Sequence, residues 1–220
     1  ITTMQSQVDE FTKTVQADPK LAKGFNVAGL SQGGLIVRAY IEQVNDPPVL
    51  NFVSICGVVG GEFACPAELR IWPLDYVCDA FTEDPYHFLF NGSFPLAFSD
   101  YWVDVANQSS YLEYNSFLPP LNNEVPHANS ALYKSNFESL RSLLLVEALQ
   151  DTVVYPYESE QFGGYVFGSN DSVYTYSEWG SYDAFGLKTL VQQGAVSFLG
   201  FEGDHLRFNT SFWNSQILPV

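Results

Sequence analysis

The sequence predicts an α/β fold with a mostly parallel sheet flanked by helices and a long insertion between two strands. Short apolar runs alternate with amphipathic stretches, and a strand–helix–strand unit spans residues 25–57. Residues 62–140 are rich in aromatic residues and proline and show no strand alternation. The chain has 220 residues, 46% of them hydrophobic, enough to bury one large core. We expect a core built from residues 1–61 and 141–220, with 62–140 inserted into it.

Four elements are predicted before the insertion. Apolar residues at helical spacing within residues 4–22 predict a first helix. We expect this helix to end near Asp18-Pro19, with a further turn before Gly24. The apolar run 25–30 predicts a buried strand, and helical spacing returns over 32–44. Asn45-Asp46-Pro47-Pro48 ends that helix, and the apolar run 49–57 predicts a second buried strand. This order implies a right-handed parallel crossover.

The remaining core elements follow the insertion. The apolar run 143–149 predicts a buried strand, and residues 152–185, rich in tyrosine and glycine, are predicted to be irregular. Residues 186–191 indicate a short helix, 195–200 the last core strand and 212–218 a closing helix.

Gly29-Leu30-Ser31-Gln32-Gly33 lies where the first predicted strand turns into a helix. This Gly-x-Ser-x-Gly pattern is typical of a nucleophile elbow, whose strained turn lifts the serine hydroxyl clear of the sheet. We expect glycine at both flanking positions because side chains there would collide with the neighbouring strand and helix. The alternative is a glycine-rich turn without a catalytic role.

A serine nucleophile needs a base to take its proton and an acid to orient that base. In the α/β-hydrolase fold these follow in the order serine, acid, histidine, each just past the carboxyl end of a strand. Asp151 follows the predicted strand 143–149, and His205 follows 195–200. The sequence therefore predicts Ser31, Asp151 and His205 as a catalytic triad.

Other candidates for these roles are less well placed. His87 and His127 fall in the insertion and follow no core strand. Asp204 and Glu202 adjoin the histidine in sequence and are poorly placed to reach its Nδ1. An exposed loop histidine remains the alternative for His205.

The backbone N–H of Gln32 is expected to donate to the oxyanion. The second donor normally comes from a loop after an early strand, often with a His-Gly pattern, and no such segment precedes residue 25. We therefore expect N-terminal strands to be missing from this chain, leaving an open sheet edge that a further N-terminal segment or partner chain covers.

Composition excludes several classes of function. With 9 basic and 25 acidic residues, the formal net charge of −16 argues against nucleic acid or an anionic membrane as partner. The sequence shows no apolar run long enough for a transmembrane segment, and residues 1–20 lack a signal-peptide pattern. Neither metal-ligand spacing nor a phosphate loop is present, so we expect no metal and no cofactor.

The cysteines and sequons favour a secretory route. Cys65 and Cys78 lie in a loop-like stretch and can close a short ring, whereas Cys56 ends an apolar strand, where a buried free thiol is common. An odd number of cysteines leaves the pairing open. Predicted glycosylation sites are Asn91, Asn107, Asn170 and Asn209.

The chain resembles the lysosomal palmitoyl-protein thioesterase family in stretches spread over nearly its whole length. They are Asp18-Pro19-Lys20-Leu21 with Gly24-Phe25-Asn26, Gly29-Leu30-Ser31-Gln32-Gly33-Gly34 with Arg38-Ala39, Asp46-Pro47-Pro48-Val49-Leu50-Asn51, Tyr101-Trp102, Phe117-Leu118 with Leu121-Asn122-Asn123-Glu124, Asp151-Thr152-Val153-Val154 with Pro156 and Glu158-Ser159-Glu160, Gly186-Leu187-Lys188, and Glu202-Gly203-Asp204-His205-Leu206.

The resemblance implies an α/β-hydrolase whose nucleophile, acid and base match Ser31, Asp151 and His205. It also implies that residues 62–140 form a largely helical lid that holds a long acyl chain, with Trp102 at an acyl-binding position. A lid and a helical cap with its own small core are not exclusive readings of this insertion.

The resemblance further implies a disulfide between Cys65 and Cys78, with Cys56 free, and a lysosomal or other secretory or extracellular location. The implied substrate is S-acylated, chiefly palmitoylated, cysteine in proteins or peptides, or a related acyl thioester. The chain departs from the family in lacking its early strands and His-Gly loop, and residues 62–100 match it poorly.

The sequence is therefore compatible with three functions. The first is hydrolysis of the thioester of a palmitoylated cysteine through an acyl-enzyme. The second is a lipase or carboxylesterase that uses the same triad on oxygen esters. The third is a non-catalytic acyl-binding or structural glycoprotein, which the missing oxyanion segment favours. Fold-level analogy alone does not separate them.

Overall fold

A computed structural model of the chain describes residues 2–65, 78–79, 97–169 and 171–218. Its elements in chain order are α1 Met4–Ala17, β1 Phe25–Leu30, α2 Gln32–Gln43, β2 Val49–Ile55, α3 Ala97–Tyr101, α4 Gln108–Tyr114, α5 Leu118–Leu121, α6 Ser130–Glu138, β3 Ser142–Ala148, a 3₁₀ turn Tyr157–Gln161, β4 Gly164–Tyr165, β5 Val173–Tyr174, α7 Leu187–Gln192, β6 Val196–Phe201, and α8 Thr210–Phe212, which continues into a π turn Trp213–Ile217.

Four of these strands form one parallel sheet in the order β1-β2-β3-β6. In register, Val53 of β2 lies opposite Leu144 of β3, and Leu144 lies opposite Ser197 of β6. The predicted class, α/β with a mostly parallel sheet, is confirmed. Because the strands are parallel, the loops after β1, β3 and β6 all leave the sheet at the same edge.

The first helix ends next to Asp18-Pro19, as the sequence predicts. Its N-terminus is capped by the Thr3 side chain, which accepts a hydrogen bond from Ser6 N–H, and its buried face carries Met4, Val8 and Val15. The helix ends at Ala17 because Asp18 is extended and Pro19 cannot continue the hydrogen-bond pattern. The residues up to Gly24 form turns.

The strand β1 has one strand partner among the described residues, β2. Its residues alternate between exposed and half-buried or buried, and Leu30 is 44% exposed. Strand β2, by contrast, buries most of its residues. That a further segment covers this edge stays a prediction. None of the helices described is both long and apolar enough to cross a membrane.

The described part of the insertion, residues 97–140, contains the four helices α3 to α6. Its apolar residues Tyr111, Leu118 and Phe137 belong to the same buried cluster as Leu35 of α2. These helices therefore share a core with the sheet and its helices instead of forming a separate one. The division into core and lid stays a proposal, since residues 66–77 and 80–96 of the insertion lie outside the described residues.

The stretch 152–185, predicted to be irregular, contains a small hairpin in which β4 and β5 pair antiparallel. Each strand has two residues, too few for a strand alternation to be visible in the sequence. At the C-terminus the predicted helix over 212–218 begins earlier, at Thr210, because the Asn209 side chain caps it by accepting from Phe212 N–H.

A buried arginine ties α2 to the surrounding loops. The Arg38 Nε donates to Glu42 Oε1 at 2.7 Å, and both side chains are fully buried. Its Nη1 donates to Val59 O at 2.6 Å and its Nη2 to Leu121 O at 3.3 Å. The guanidinium also lies over the rings of Phe162 and Phe185, at 5.0 and 4.6 Å from their centroids. We call this group the Arg38 cluster.

Candidate active site

Three polar side chains meet at the carboxyl edge of the sheet. Ser31 directly follows β1, Asp151 lies in the loop after β3, and His205 lies in the loop after β6. The His205 Nδ1 is 2.6 Å from Asp151 Oδ2, and its Nε2 is 3.0 Å from Ser31 Oγ. The structure thus places these three residues in one continuous hydrogen-bonded chain.

Ser31 has an unusual backbone conformation, with φ 52° and ψ −128°. A positive φ is costly for a residue with a side chain and persists only where its surroundings hold it. Ser31 N–H donates to Ile55 O at 3.0 Å, and Ser31 O accepts from Gly34 N–H at 2.9 Å. These bonds hold the strained turn that presents the hydroxyl to His205.

The glycines of the motif have different roles. A Cβ at Gly29 would lie 2.6 Å from Gly33 O and 2.7 Å from Gly34 Cα, so only glycine fits there. A Cβ at Gly34 would lie 2.7 Å from Ser54 Oγ. At Gly33 a Cβ would meet nothing within 4 Å among the described residues. The sequence expectation of a collision is therefore wrong for Gly33, which lies in the open first turn of α2.

Asp151 is held as an anion. Its Oδ1 accepts from the N–H groups of Val153 at 2.7 Å and Val154 at 2.8 Å, while its Oδ2 faces His205. Burial raises the pKa of Asp151, but hydrogen bonds from His205, Glu160 and these two N–H groups outweigh burial and lower that pKa below its usual value. An ionised Asp151 favours the tautomer in which His205 Nδ1–H donates to it, and in that tautomer Nε2 can accept the Ser31 hydroxyl proton.

The other candidate acids and histidines are engaged elsewhere. Asp204 Oδ1 accepts from Thr152 N–H at 3.0 Å and from Thr152 Oγ1 at 2.8 Å, so it joins the Asp151 and His205 loops. Glu202 accepts from Gln150 Nε2 at 3.3 Å. His127 lies in the insertion, with its Nε2 2.8 Å from Asn123 Oδ1. His87 lies outside the described residues.

Gln32 links the elbow to the insertion. As the first residue of α2, it has a backbone N–H with no acceptor within the helix. Its side-chain Oε1 accepts from the Tyr101 hydroxyl at 3.2 Å. Trp102, which follows Tyr101 in the sequence, is 4% exposed, and its ring centroid lies 5.4 Å from that of Phe98. An acyl-binding role for Trp102 stays a prediction, as does the oxyanion role of Gln32.

A cavity of about 440 Å³ lies between the insertion and the β4–β5 hairpin. Its lining consists of Gln108, Leu112, Glu124, Val166, Phe167, Tyr174, Glu178, Trp179, Gly180 and Ser181. The lining includes neither Ser31 nor Trp102, so this cavity does not test the predicted acyl site.

The structure contains a disulfide between Cys65 and Cys78, and Cys56 is a buried free thiol. Two of the predicted glycosylation sites, Asn107 and Asn209, are exposed residues whose Oδ1 atoms cap α4 and α8. The other two, Asn91 and Asn170, lie outside the described residues.

One residue beside the triad was given no role by the sequence. Glu160 lies in the 3₁₀ turn and is fully buried. It forms a cluster with Cys56, Asp151 and His205, which each offer one atom with metal-binding chemistry, all within 4.8 Å of one another. Glu160 belongs to a motif that supports the family resemblance, but a glutamate in a Tyr- and Glu-rich stretch carries no signal of burial.

Several carboxyl groups of the fold favour the neutral form, and this predicts that the protein is most stable against unfolding at acidic pH. Burial raises the pKa of Glu147 to about 7 and of Glu160 to about 11, from an ordinary value of 4.5. Their contribution to stability is complete below pH 4.5 and is lost as pH rises through these values. The pKa values of Asp151 and Asp204 are lowered from 3.8, so their contribution is lost only as pH falls below that value.

We therefore expect the denaturant midpoint of unfolding to be highest at about pH 4 to 5 and to fall towards pH 8. Urea unfolding followed by tryptophan fluorescence across this range measures it. Glu147→Gln should make the fall shallower. A midpoint that rises between pH 5 and pH 8 would contradict the assignment.

Comparison with known proteins shows the family to which the chain belongs. A sequence profile of the family described as palmitoyl protein thioesterase matches residues 1–205. Palmitoyl-protein thioesterase 3 of Dictyostelium discoideum is 38% identical over 90% of this chain and 66% of its own length. Palmitoyl-protein thioesterase 1 of Caenorhabditis elegans is 32% identical over 93% of this chain and 68% of its own length.

The human protein named lysosomal thioesterase PPT2 is 29% identical over 80% of this chain and 58% of its own length. Among solved structures, the monoacylglycerol lipase of Paleococcus ferrophilus matches 98% of this chain and 72% of its own, at a TM-score of 0.43 and 13% identity. The chain spans about two thirds of the length of the first two relatives. The profile match over most of the chain, and these identities, show that the chain belongs to the palmitoyl protein thioesterase family.

Proposed function

We propose that the protein is a serine hydrolase that cleaves the thioester of S-acylated, chiefly palmitoylated, cysteine in proteins or peptides. The observation that carries the proposal is the hydrogen-bonded chain from Ser31 Oγ through His205 to Asp151. A serine held at positive φ between a parallel strand and a helix, within hydrogen-bond distance of a histidine, is arranged to become a nucleophile.

In the first half of the reaction, Ser31 Oγ attacks the acyl carbonyl carbon while His205 Nε2 takes the hydroxyl proton. Asp151 stabilises the imidazolium that forms, because its carboxylate accepts the Nδ1–H. The carbonyl oxygen becomes an oxyanion, to which Gln32 N–H donates at the N-terminus of α2. The tetrahedral intermediate then expels the cysteine sulfur, which leaves as a thiol with the proton from His205.

In the second half, a water molecule attacks the acyl ester on Ser31. His205 Nε2 takes a proton from this water and returns it to Ser31 Oγ as the ester bond breaks. The products are the free fatty acid and the original enzyme. A thiol is a good leaving group, so the first half depends less on proton donation than amide cleavage does.

Family membership and the names of the relatives support the substrate class and a lysosomal or other secretory or extracellular location. The Cys65–Cys78 disulfide fits that location, since disulfides persist in oxidising compartments. We propose residues 62–140 as the lid that holds the acyl chain, with Trp102 in its wall and Gln32 as the oxyanion donor.

Reaction with a fluorophosphonate probe tests the assembled site. We expect the full-length protein to be labelled at Ser31, as read by peptide mass spectrometry, and expect Ser31→Ala to remove the label. Folded protein without label would contradict the proposal and favour an acyl-binding protein without turnover.

Matched palmitoyl thioester and oxygen-ester substrates test the bond that is cleaved. We expect a higher kcat/KM for the thioester. Equal or faster hydrolysis of the oxygen ester would make the protein a lipase or carboxylesterase with the same triad.

A further inference from the structure

A second carboxyl group lies behind the acid of the triad. Glu160 is fully buried, and its Oε2 accepts from Ala148 N–H, at the end of β3, at 2.9 Å. Its Oε1 is also buried and has no hydrogen-bond donor among the described residues. An ionised carboxylate with only one donor in a buried site would be strongly destabilising.

The groups around Glu160 do not neutralise a negative charge there. The charged groups that act on it are Asp151, in the loop after β3, and Glu147, on β3 itself, both of which raise the pKa of Glu160. Cys56 lies after β2, and burial raises the pKa of its thiol. His205, from the loop after β6, has its Nδ1 directed at Asp151. Glu160 therefore faces another carboxylate without a cation of its own.

Asp151 and Glu160 each place a carboxyl oxygen within 4.8 Å of the other in this buried cluster. Two carboxylates this near in a buried site repel each other, which favours one of the two being protonated. Asp151 receives hydrogen bonds from His205 and from the N–H groups of Val153 and Val154, all of which favour its anion. Glu160 receives one, from Ala148. The proton therefore belongs to Glu160, whose pKa burial and Asp151 raise to about 11.

We propose that Glu160 is a positioning residue that stays protonated and donates its carboxylic O–H to Asp151, holding that carboxylate against His205. This inference rests on the proposed hydrolase function for its kinetic consequences but not for the location of the proton. The donated hydrogen bond fixes the orientation of the Asp151 carboxylate, whose Oδ2 faces His205 Nδ1. It also joins the 3₁₀ turn to the catalytic edge of the sheet.

The kinetic test compares Glu160→Gln with Glu160→Leu. Glutamine reproduces the pattern, since its amide N–H can donate to Asp151 while its oxygen accepts from Ala148, so kcat/KM should stay within about three-fold of wild type. Leucine removes the donor, and we expect kcat/KM to fall roughly ten- to hundred-fold, the range for a lost hydrogen bond to a charged group. The pH profile of kcat/KM should also differ from that of wild type in Glu160→Leu and not in Glu160→Gln, because only leucine removes the hydrogen bond to Asp151.

Glu147→Gln is the matched control, because it removes a neighbouring carboxyl without touching Asp151, and its profile should match wild type. If the wild type is active and Glu160→Leu has the same kcat/KM as wild type, the inference is overturned and the proposed function is unaffected. A folded Glu160→Gln that loses as much activity as Glu160→Leu would also overturn it.

Infrared spectroscopy locates the proton without any activity. The difference spectrum of wild type minus Glu160→Gln at pH 7 should contain the carbonyl stretch of a protonated carboxylic acid, shifted in D₂O. Carboxylate bands in its place would overturn the inference. This measurement stands even if the protein hydrolyses no thioester, or if Glu160→Leu does not fold.

Discussion

Replacing His205 by alanine is expected to lower kcat for thioester hydrolysis by about a million-fold, the range seen when a triad base is removed. The structure gives the reason: His205 Nε2 is 3.0 Å from Ser31 Oγ, and no other base among the described residues hydrogen-bonds to that hydroxyl. Of the neighbouring acids, Asp151 faces the far side of the ring, and Asp204 is engaged with Thr152. Steady-state and single-turnover kinetics of the full-length variant measure the loss.

The triad should also behave as one unit. Ser31→Ala/His205→Ala should be no slower than either single variant, because each removes the same attack. Asp151→Asn should cost about ten thousand-fold, since an asparagine in that place favours the wrong histidine tautomer. His127→Ala is the matched control, a histidine in the insertion whose loss should leave kcat within a few-fold. If His127→Ala lowered kcat as much as His205→Ala does, the assignment of His205 as the catalytic base would be rejected.

Replacing Arg38 by leucine is expected to destabilise the fold by about 3–5 kcal/mol, the range for removing one partner of a buried ion pair. In this variant Glu42 Oε1 would lose the hydrogen bond from Arg38 while staying buried. Glu42 Oε2 has no hydrogen-bond partner among the described residues even in the wild type. The carbonyl oxygens of Val59 and Leu121 would each lose a donor, and the rings of Phe162 and Phe185 would lose the cation.

Urea unfolding of a double-mutant cycle tests this. Arg38→Leu/Glu42→Leu should recover part of the stability, because two apolar side chains remove the unpaired charge. Recovery should be incomplete, since the two carbonyl groups stay without their donor. The exposed pair Lys188–Asp183, at 3.2 Å, supplies the matched control, and Lys188→Ala should change stability by about 1 kcal/mol or less. If Arg38→Leu costs no more than Lys188→Ala, the Arg38 cluster does not stabilise the fold.

The order of the core elements was predictable because their signals are local. The apolar run that forms β1 and the helical spacing that forms α2 gave boundaries within one residue of those observed, and Pro47 marked the end of that unit. The end of the first helix at Asp18-Pro19 was predictable for the same reason, since the residue before a proline disfavours the helical conformation. The β4–β5 hairpin was missed because two residues per strand make no pattern.

Some features of the candidate site were likewise predictable from local sequence, and others were not. Ser31 could be singled out because its motif is contiguous, and Asp151 and His205 because each follows a recognisable strand. The packing of the glycines could not be assigned, since Gly29 approaches the backbone of Gly33 while Gly33 itself faces open space. Such distances depend on how a helix sits on a strand.

By itself, the sequence predicted parallel strands, the order of the core elements along the chain and the positions of the three residues proposed as the triad, because periodicity and turn residues act over a few neighbouring positions. Only the tertiary structure decided that Glu160 lies buried beside Asp151 and that the buried Arg38 guanidinium lies over two aromatic rings. Burial and charge pairing are sums over contacts between segments far apart in the chain. The same glutamate or arginine would be an ordinary solvated side chain if those segments met differently.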